Sequence, residues 1–159
     1  MRVIVCLLLL VGLARAEVIE VAPDLKVSSI TFGLFQQQPN GSLTFVSSRE
    51  VPLRPGQYFG WCMNVATDRP MVRWREELEL PQPPEKWGTD TSVQGDRRVG
   101  ITEREEDVFN GLVVHIWKVA AGDPPGDYRL KLFLEGKPVG VLEFKVVPPP
   151  QPEATSCSH

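Results

Sequence analysis

Met71-Val72-Arg73-Trp74-Arg75-Glu76-Glu77-Leu78-Glu79-Leu80 decides the fold class. Val72, Trp74, Leu78 and Leu80 are apolar, whereas Arg73, Arg75, Glu77 and Glu79 are charged. A repeat of two residues places successive side chains on opposite faces of an extended chain, so this is a strand with one face in a core and one in water. Glu76 is the single departure, a charge where the alternation asks for an apolar residue.

The same pattern recurs downstream. Tyr128, Leu130, Leu132 and Leu134 stand against Asp127, Arg129, Lys131 and Glu135, and Leu142, Phe144 and Val146 stand against Glu143 and Lys145. Glu135-Gly136-Lys137-Pro138 between the two runs supplies the glycine of a tight reversal, which predicts a hairpin over Asp127 to Val147. Further strands are expected at Val18–Val21, Lys26–Phe35, Leu43–Val51, Tyr58–Ala66, Val99–Glu103 and Leu112–Val119. Turn chemistry separates them: Pro39-Asn40-Gly41-Ser42, Arg54-Pro55-Gly56, Thr67-Asp68-Arg69-Pro70 and Gly122-Asp123-Pro124-Pro125-Gly126. No segment carries a long helical stripe, and Glu103-Arg104-Glu105-Glu106-Asp107 reads as one or two helical turns at most. The expectation is an all-β protein, an antiparallel immunoglobulin-like β-sandwich of about eight or nine strands.

Residues 1–16 are a different text. Met1-Arg2 leads into the apolar run Val3 to Leu13, which ends at Ala14-Arg15-Ala16. A basic start, a short apolar stretch and a small-x-small end make a secretory signal, whereas a membrane-spanning helix needs roughly 20 apolar residues. Cleavage after Ala16 takes Cys6, Arg2 and Arg15 and none of the 20 acids, so 15 basic residues remain and the net charge moves from −3 to −5. The expected organisation is a signal peptide over residues 1–16, a sandwich over 17–147 and a Pro-rich flexible tail over 148–159, with a periplasmic or secreted location. The acidic balance and the lack of a basic stripe exclude a nucleic-acid partner, and the apolar content excludes a disordered chain.

The hairpin supports a resemblance. Pro125-Gly126-Asp127-Tyr128-Arg129-Leu130, then Phe133-Leu134-Glu135-Gly136-Lys137, then Leu142-Glu143-Phe144-Lys145-Val146 resembles the closing hairpin of many exported bacterial immunoglobulin-like domains. Such domains occur in adhesins, enzyme accessory regions and periplasmic proteins of uncharacterised function. The resemblance implies the sandwich architecture and no catalytic residue. The Cys, Trp, Cys spacing of antibody domains is missing after residue 16.

Reactive chemistry is sparse. His115, within Val113-Val114-His115-Ile116-Trp117, lies in an apolar strand and reads as a packed, hydrogen-bonded histidine. No Gly-x-Ser-x-Gly motif or Cys-x-x-Cys pair is present, and Cys157-Ser158-His159 offers too few ligands for a metal, so neither cofactor nor metal is expected. In Tyr58–Ala66 the residues Phe59, Trp61, Met63 and Val65 form the apolar face and leave Cys62 on the other. In an oxidising compartment Cys62 and Cys157 could bridge, the tail being long enough to reach; an intermolecular bridge or two thiols are the alternatives. Asn40-Gly41-Ser42 is a glycosylation triplet that matters only in a eukaryotic source.

Two surfaces are candidates for binding. Trp61, Trp74 and Trp117 read as core, but Trp87 lies with Lys86 in the polar, Pro-rich connection Pro81–Arg98, where an aromatic either anchors a partner or pins its own loop. Arg73 and Arg75 lie side by side on the charged face of the first strand quoted; on an edge strand they would oppose aggregation, and they could also guide an acidic partner. The resulting expectation is an exported, non-catalytic binding or interaction module that contacts a protein or glycan through surface loops. The alternative is a secreted or periplasmic enzyme, or enzyme-associated domain, with an acidic site.

Overall fold

The computed structural model describes residues 17–149 and shows two facing sheets built from eleven strands. In chain order these are β1 Ile19–Ala22, β2 Leu25–Gln37, β3 Leu43–Ser47, β4 Glu50–Pro52, β5 Tyr58–Thr67, β6 Met71–Glu79, β7 Ser92–Gln94, β8 Val99–Asp107, β9 Leu112–Lys118, β10 Gly126–Leu134 and β11 Lys137–Val147. The first sheet runs β1-β2-β5-β9, with β3 pairing the second half of β2 beyond β1; the second runs β4-β11-β10-β6-β8-β7. All pairings are antiparallel except β4 with β11. The expected all-β sandwich is therefore the architecture. The signal segment 1–16 and residues 150–159 of the tail, Cys6, Cys157 and His159 included, lie outside the described residues.

The alternation read from the sequence aims the side chains. Phe59, Trp61, Met63 and Val65 of β5 meet Val72, Trp74 and Leu78 of β6 and Leu130, Leu132 and Leu134 of β10 in one buried cluster. Phe32 stacks on Phe144 across the sheets at 4.1 Å between ring centroids. The β10–β11 reversal is made by Glu135 and Gly136 alone, with φ of 48° and 77°. Two positive φ values are the signature of a type I′ turn, whose twist matches the flanking strands.

Three expectations need correction. Leu43–Val51 is not one strand: β3 stays in the first sheet, the chain crosses at Ser48 and Arg49, and β4 joins the second. Glu103–Asp107 is strand, not helical turns, because its backbone pairs with Met71–Arg75, and tertiary pairing overrides local propensity. The Pro81–Arg98 connection contains the short strand β7, which raises the count beyond nine. β6 lies between β10 and β8, so of the two roles open to Arg73 and Arg75 the edge role does not apply.

Candidate functional site

The misplaced charge of β6 is the starting point. Glu76 keeps the inward parity of Val72, Trp74 and Leu78 and is completely buried. A carboxylate in a core is costly unless it is hydrogen-bonded. Here Trp61 Nε1–H donates to Oε2 at 2.8 Å, and His115 Nδ1 lies 3.1 Å from Oε2 and 3.0 Å from Oε1. Trp61 and His115 are register partners on β5 and β9, so one acid of the second sheet is held by two neighbours of the first. An ionised carboxylate only accepts, so beside an ionised Glu76 the Nδ1 nitrogen carries the proton, and Nε2 is the ring's other polar atom. Rings enclose the pair: Trp74 is 4.6 Å from His115 between centroids, and Trp117 meets it edge-on at 5.3 Å. Trp74 Nε1 has no hydrogen-bond partner among the described residues.

His115 is 93% buried, and its remaining exposure opens on a cleft. The cleft lies where β9, the last strand of the first sheet, faces β6 and β8 of the second, and its volume is about 420 Å³. Phe59 and Trp117 line one wall, Leu78, Thr102 and Tyr128 the other, and Trp87 and Asp90 belong to the connection that forms a roof. Tyr128 donates its hydroxyl to Pro124 O at 2.7 Å, an arrangement that resembles the tyrosine corner of immunoglobulin sandwiches. Burial, with Asp123 adding to it, pushes this phenol far above its ordinary range.

The roof is fastened along its length. Leu80 N bonds to Arg98 O at its base, Glu85 N to Gly122 O in the β9–β10 turn, and Trp87 Nε1 to Arg97 O at 2.8 Å. The ring of Trp87 rests on Gly100, where a Cβ would come within 2.3 Å of it; only glycine admits that approach. Asp90 pairs with Arg104 of β8, whose guanidinium holds the acid below the usual carboxylate range. Thr91 and Thr102 share a hydrogen bond of 3.3 Å. On the far wall Asp123 accepts from Ala120 N at 2.8 Å, and burial raises its pKa.

The structure separates the residues expected to bind. Trp87 and Lys86 border the cleft. Arg73 and Arg75 project from the outer face of β6, opposite Glu76: Arg73 approaches Glu103 at 3.6 Å, and Arg75 pairs with Glu77 at 2.6 Å and covers the Phe133 ring. Cys62 is half-buried on the outer face of β5, where burial raises its thiol pKa; its suggested partner Cys157 lies outside the described residues. Reading the sequence missed Glu76, Thr102, Arg104 and Tyr128 as site residues. The signal for Glu76 was its parity, and for His115 its place in an otherwise apolar inward row. Among the described residues no group of three or more His, Cys, Asp or Glu side chains is placed to hold a metal, and no helix is long and apolar enough to cross a membrane.

Comparison with known proteins agrees with this architecture. The family model described as PM0630 beta sandwich domain matches residues 30–147, which include the whole cleft. The crystal structure of an immunoglobulin-like protein from Pseudomonas aeruginosa is similar with a TM-score of 0.50 at 18% identity, over 84% of this chain and 99% of that one. At that identity the likeness is one of fold. No curated protein matches the sequence.

Proposed function

The chain belongs to the PM0630 beta sandwich domain family, and from that premise we propose that it is an exported, non-catalytic binding module whose ligand occupies the roofed cleft. One observation carries the reading: aromatic walls and a few converging polar groups surround about 420 Å³ at the sandwich edge. Concave sites of roughly 300–1,000 Å³ with such a lining are where small ligands are held. Binding rather than turnover is supported by the way the polar groups are engaged. Asp90 is tied to Arg104, Thr91 to Thr102, Tyr128 to Pro124 O and Asp123 to Ala120 N, so each serves the fold instead of activating a neighbour.

The test is a titration of the mature chain with a mixed set of saccharides, short peptides and aromatic carboxylates, followed by the indole N–H signals of the four tryptophans. Movement centred on Trp87 and Trp117 is expected. If no probe moves them, the binding reading fails. An enzymatic reading has one observation in its favour, the orientation of His115 by Glu76, which would suit a general base at Nε2. Turnover of any bound probe, lost in His115→Gln while binding persists, would select it. Export is checked by the mass of the protein recovered from cell fractions, which should begin at Glu17.

A further inference from the structure

We propose that the cleft is a saccharide site, in which a neutral sugar ring lies against Trp87 and Trp117 and places hydroxyls on His115 Nε2 and on the Asp90–Arg104 and Thr91–Thr102 pairs. This rests on the binding reading above and names its ligand class.

The argument starts at the floor. His115 is 7% exposed and lines the cleft, and with Nδ1 committed to Glu76 its Nε2 is the ring's remaining polar atom. A hydroxyl satisfies that atom whether it carries a proton or a lone pair, because it both donates and accepts. At the sides, polar groups come as couples. Asp90 places acceptor oxygens beside the donors of Arg104, and the two threonine hydroxyls each donate and accept. A row of donor–acceptor couples complements a ligand whose own groups do both, which is the property of vicinal hydroxyls.

Charge narrows the choice further. The lining mixes Lys86, Arg104 and Lys118 with Asp90 and Asp123, and Arg104 is already paired with Asp90, so the cleft presents no concentrated charge of one sign. A neutral ligand of mixed donors and acceptors suits such a lining. An apolar body would strip the floor and the hydroxyls of their hydrogen-bonding options, at a cost of about 1–3 kcal/mol per orphaned group. Trp87 and Trp117 are both half-buried, which leaves part of each ring as a flat apolar surface beside these polar groups. A pyranose has that duality, with C–H faces for the rings and an equator of hydroxyls. A ligand contacting only loop tips would not need Glu76 buried beneath His115.

The deciding experiment uses the mature chain and a panel of neutral mono- and disaccharides of hexoses and N-acetylhexosamines, with tripeptides and indole-3-carboxylate as parallel probes. Imidazole and indole ¹⁵N signals are recorded. A saccharide should shift the His115 Nε2 resonance more than Nδ1, and should move the Trp87 and Trp117 indoles. Thr91→Val, outside the Glu76 cluster, should weaken binding about tenfold, roughly 1.4 kcal/mol, with unchanged backbone spectra, and Trp117→Ala, whose ring packs edge-on against His115, should weaken it at least as much. If peptides or the carboxylate move these signals and saccharides do not, the ligand class is wrong and the binding module stands. If saccharides bind but shift only the outer face of β6, the site is wrong. If no probe moves the cleft, both readings fall.

Discussion

Glu76 shows how one residue can organise both the core and the site. Removing its carboxylate leaves Trp61 Nε1–H and His115 Nδ1 without their partner inside a packed cluster. Breaking a buried charged or polar pair from one side costs about 3–5 kcal/mol, so Glu76→Ala should lower the urea midpoint by that equivalent. Glu76→Gln, which keeps one acceptor oxygen, should lose about half as much. Equal midpoints for wild type and Glu76→Ala would show that the cluster does not hold the sheets together. The residue was visible in the sequence as the one break in the Met71–Leu80 alternation, but its purpose was not. Period-two patterning tells which face a side chain takes; it does not tell which residue meets it from the other sheet. His115 was legible as a buried, hydrogen-bonded histidine for the same reason, while its partner and the cleft beside it depend on β9 lying opposite β6 and β8.

At the scale of elements, what could be read were the strands with strong alternation and the turns with special chemistry. The β10–β11 hairpin is the clearest case, and it makes a firm prediction. Gly136 sits at φ 77°, so Gly136→Ala should cost about 1 kcal/mol, read as a lowered urea midpoint with the fold retained. What escaped the sequence were elements defined by partners. β3 and β4 look like one strand until their hydrogen bonds go to different sheets, and the charged run at the end of β8 is extended only because β6 pairs with it. The roof belongs to the same class: its proline-rich composition announced a surface connection, whereas its docking depends on Gly100. Gly100→Ala would drive a methyl into the Trp87 ring. The expected result is a displaced roof, with amides of residues 84–97 exchanging faster, at a cost of about 1–3 kcal/mol. Saccharide binding should weaken with it, while the β10–β11 hairpin stays protected. Unchanged exchange in the roof would mean that Trp87 does not fasten it.

For the molecule as a whole, a few perturbed groups give stability a pH dependence of opposite sense on the acid and alkaline sides. On the acid side, Arg69 holds Asp24 low and ties the β1–β2 turn to the β5–β6 turn, and Arg104 holds Asp90 low and ties the roof to β8. A carboxyl whose folded pKa lies below its unfolded value binds fewer protons when folded. Its stabilisation is therefore complete above the unfolded pKa and is lost as pH falls through the folded one. Both pairs are exposed, so the loss is small and local, and the roof should loosen before the sheets do. On the alkaline side Tyr128 has the opposite sense. Its folded pKa is raised, so its contribution is complete below the ordinary phenol value of about 10 and declines as pH rises above it. Amide exchange across a pH series should show residues 84–98 opening first in acid, and Arg104→Gln should abolish that step without altering the alkaline limb. Tyr128→Phe should do the reverse: lose about 1 kcal/mol at neutral pH with the hydrogen bond to Pro124 O, yet unfold less steeply above pH 10. If Arg104→Gln leaves the acid opening of the roof unchanged, the Asp90 pair is not its latch, and the bonds of Glu85 to Gly122 and of Trp87 to Arg97 carry the closure alone.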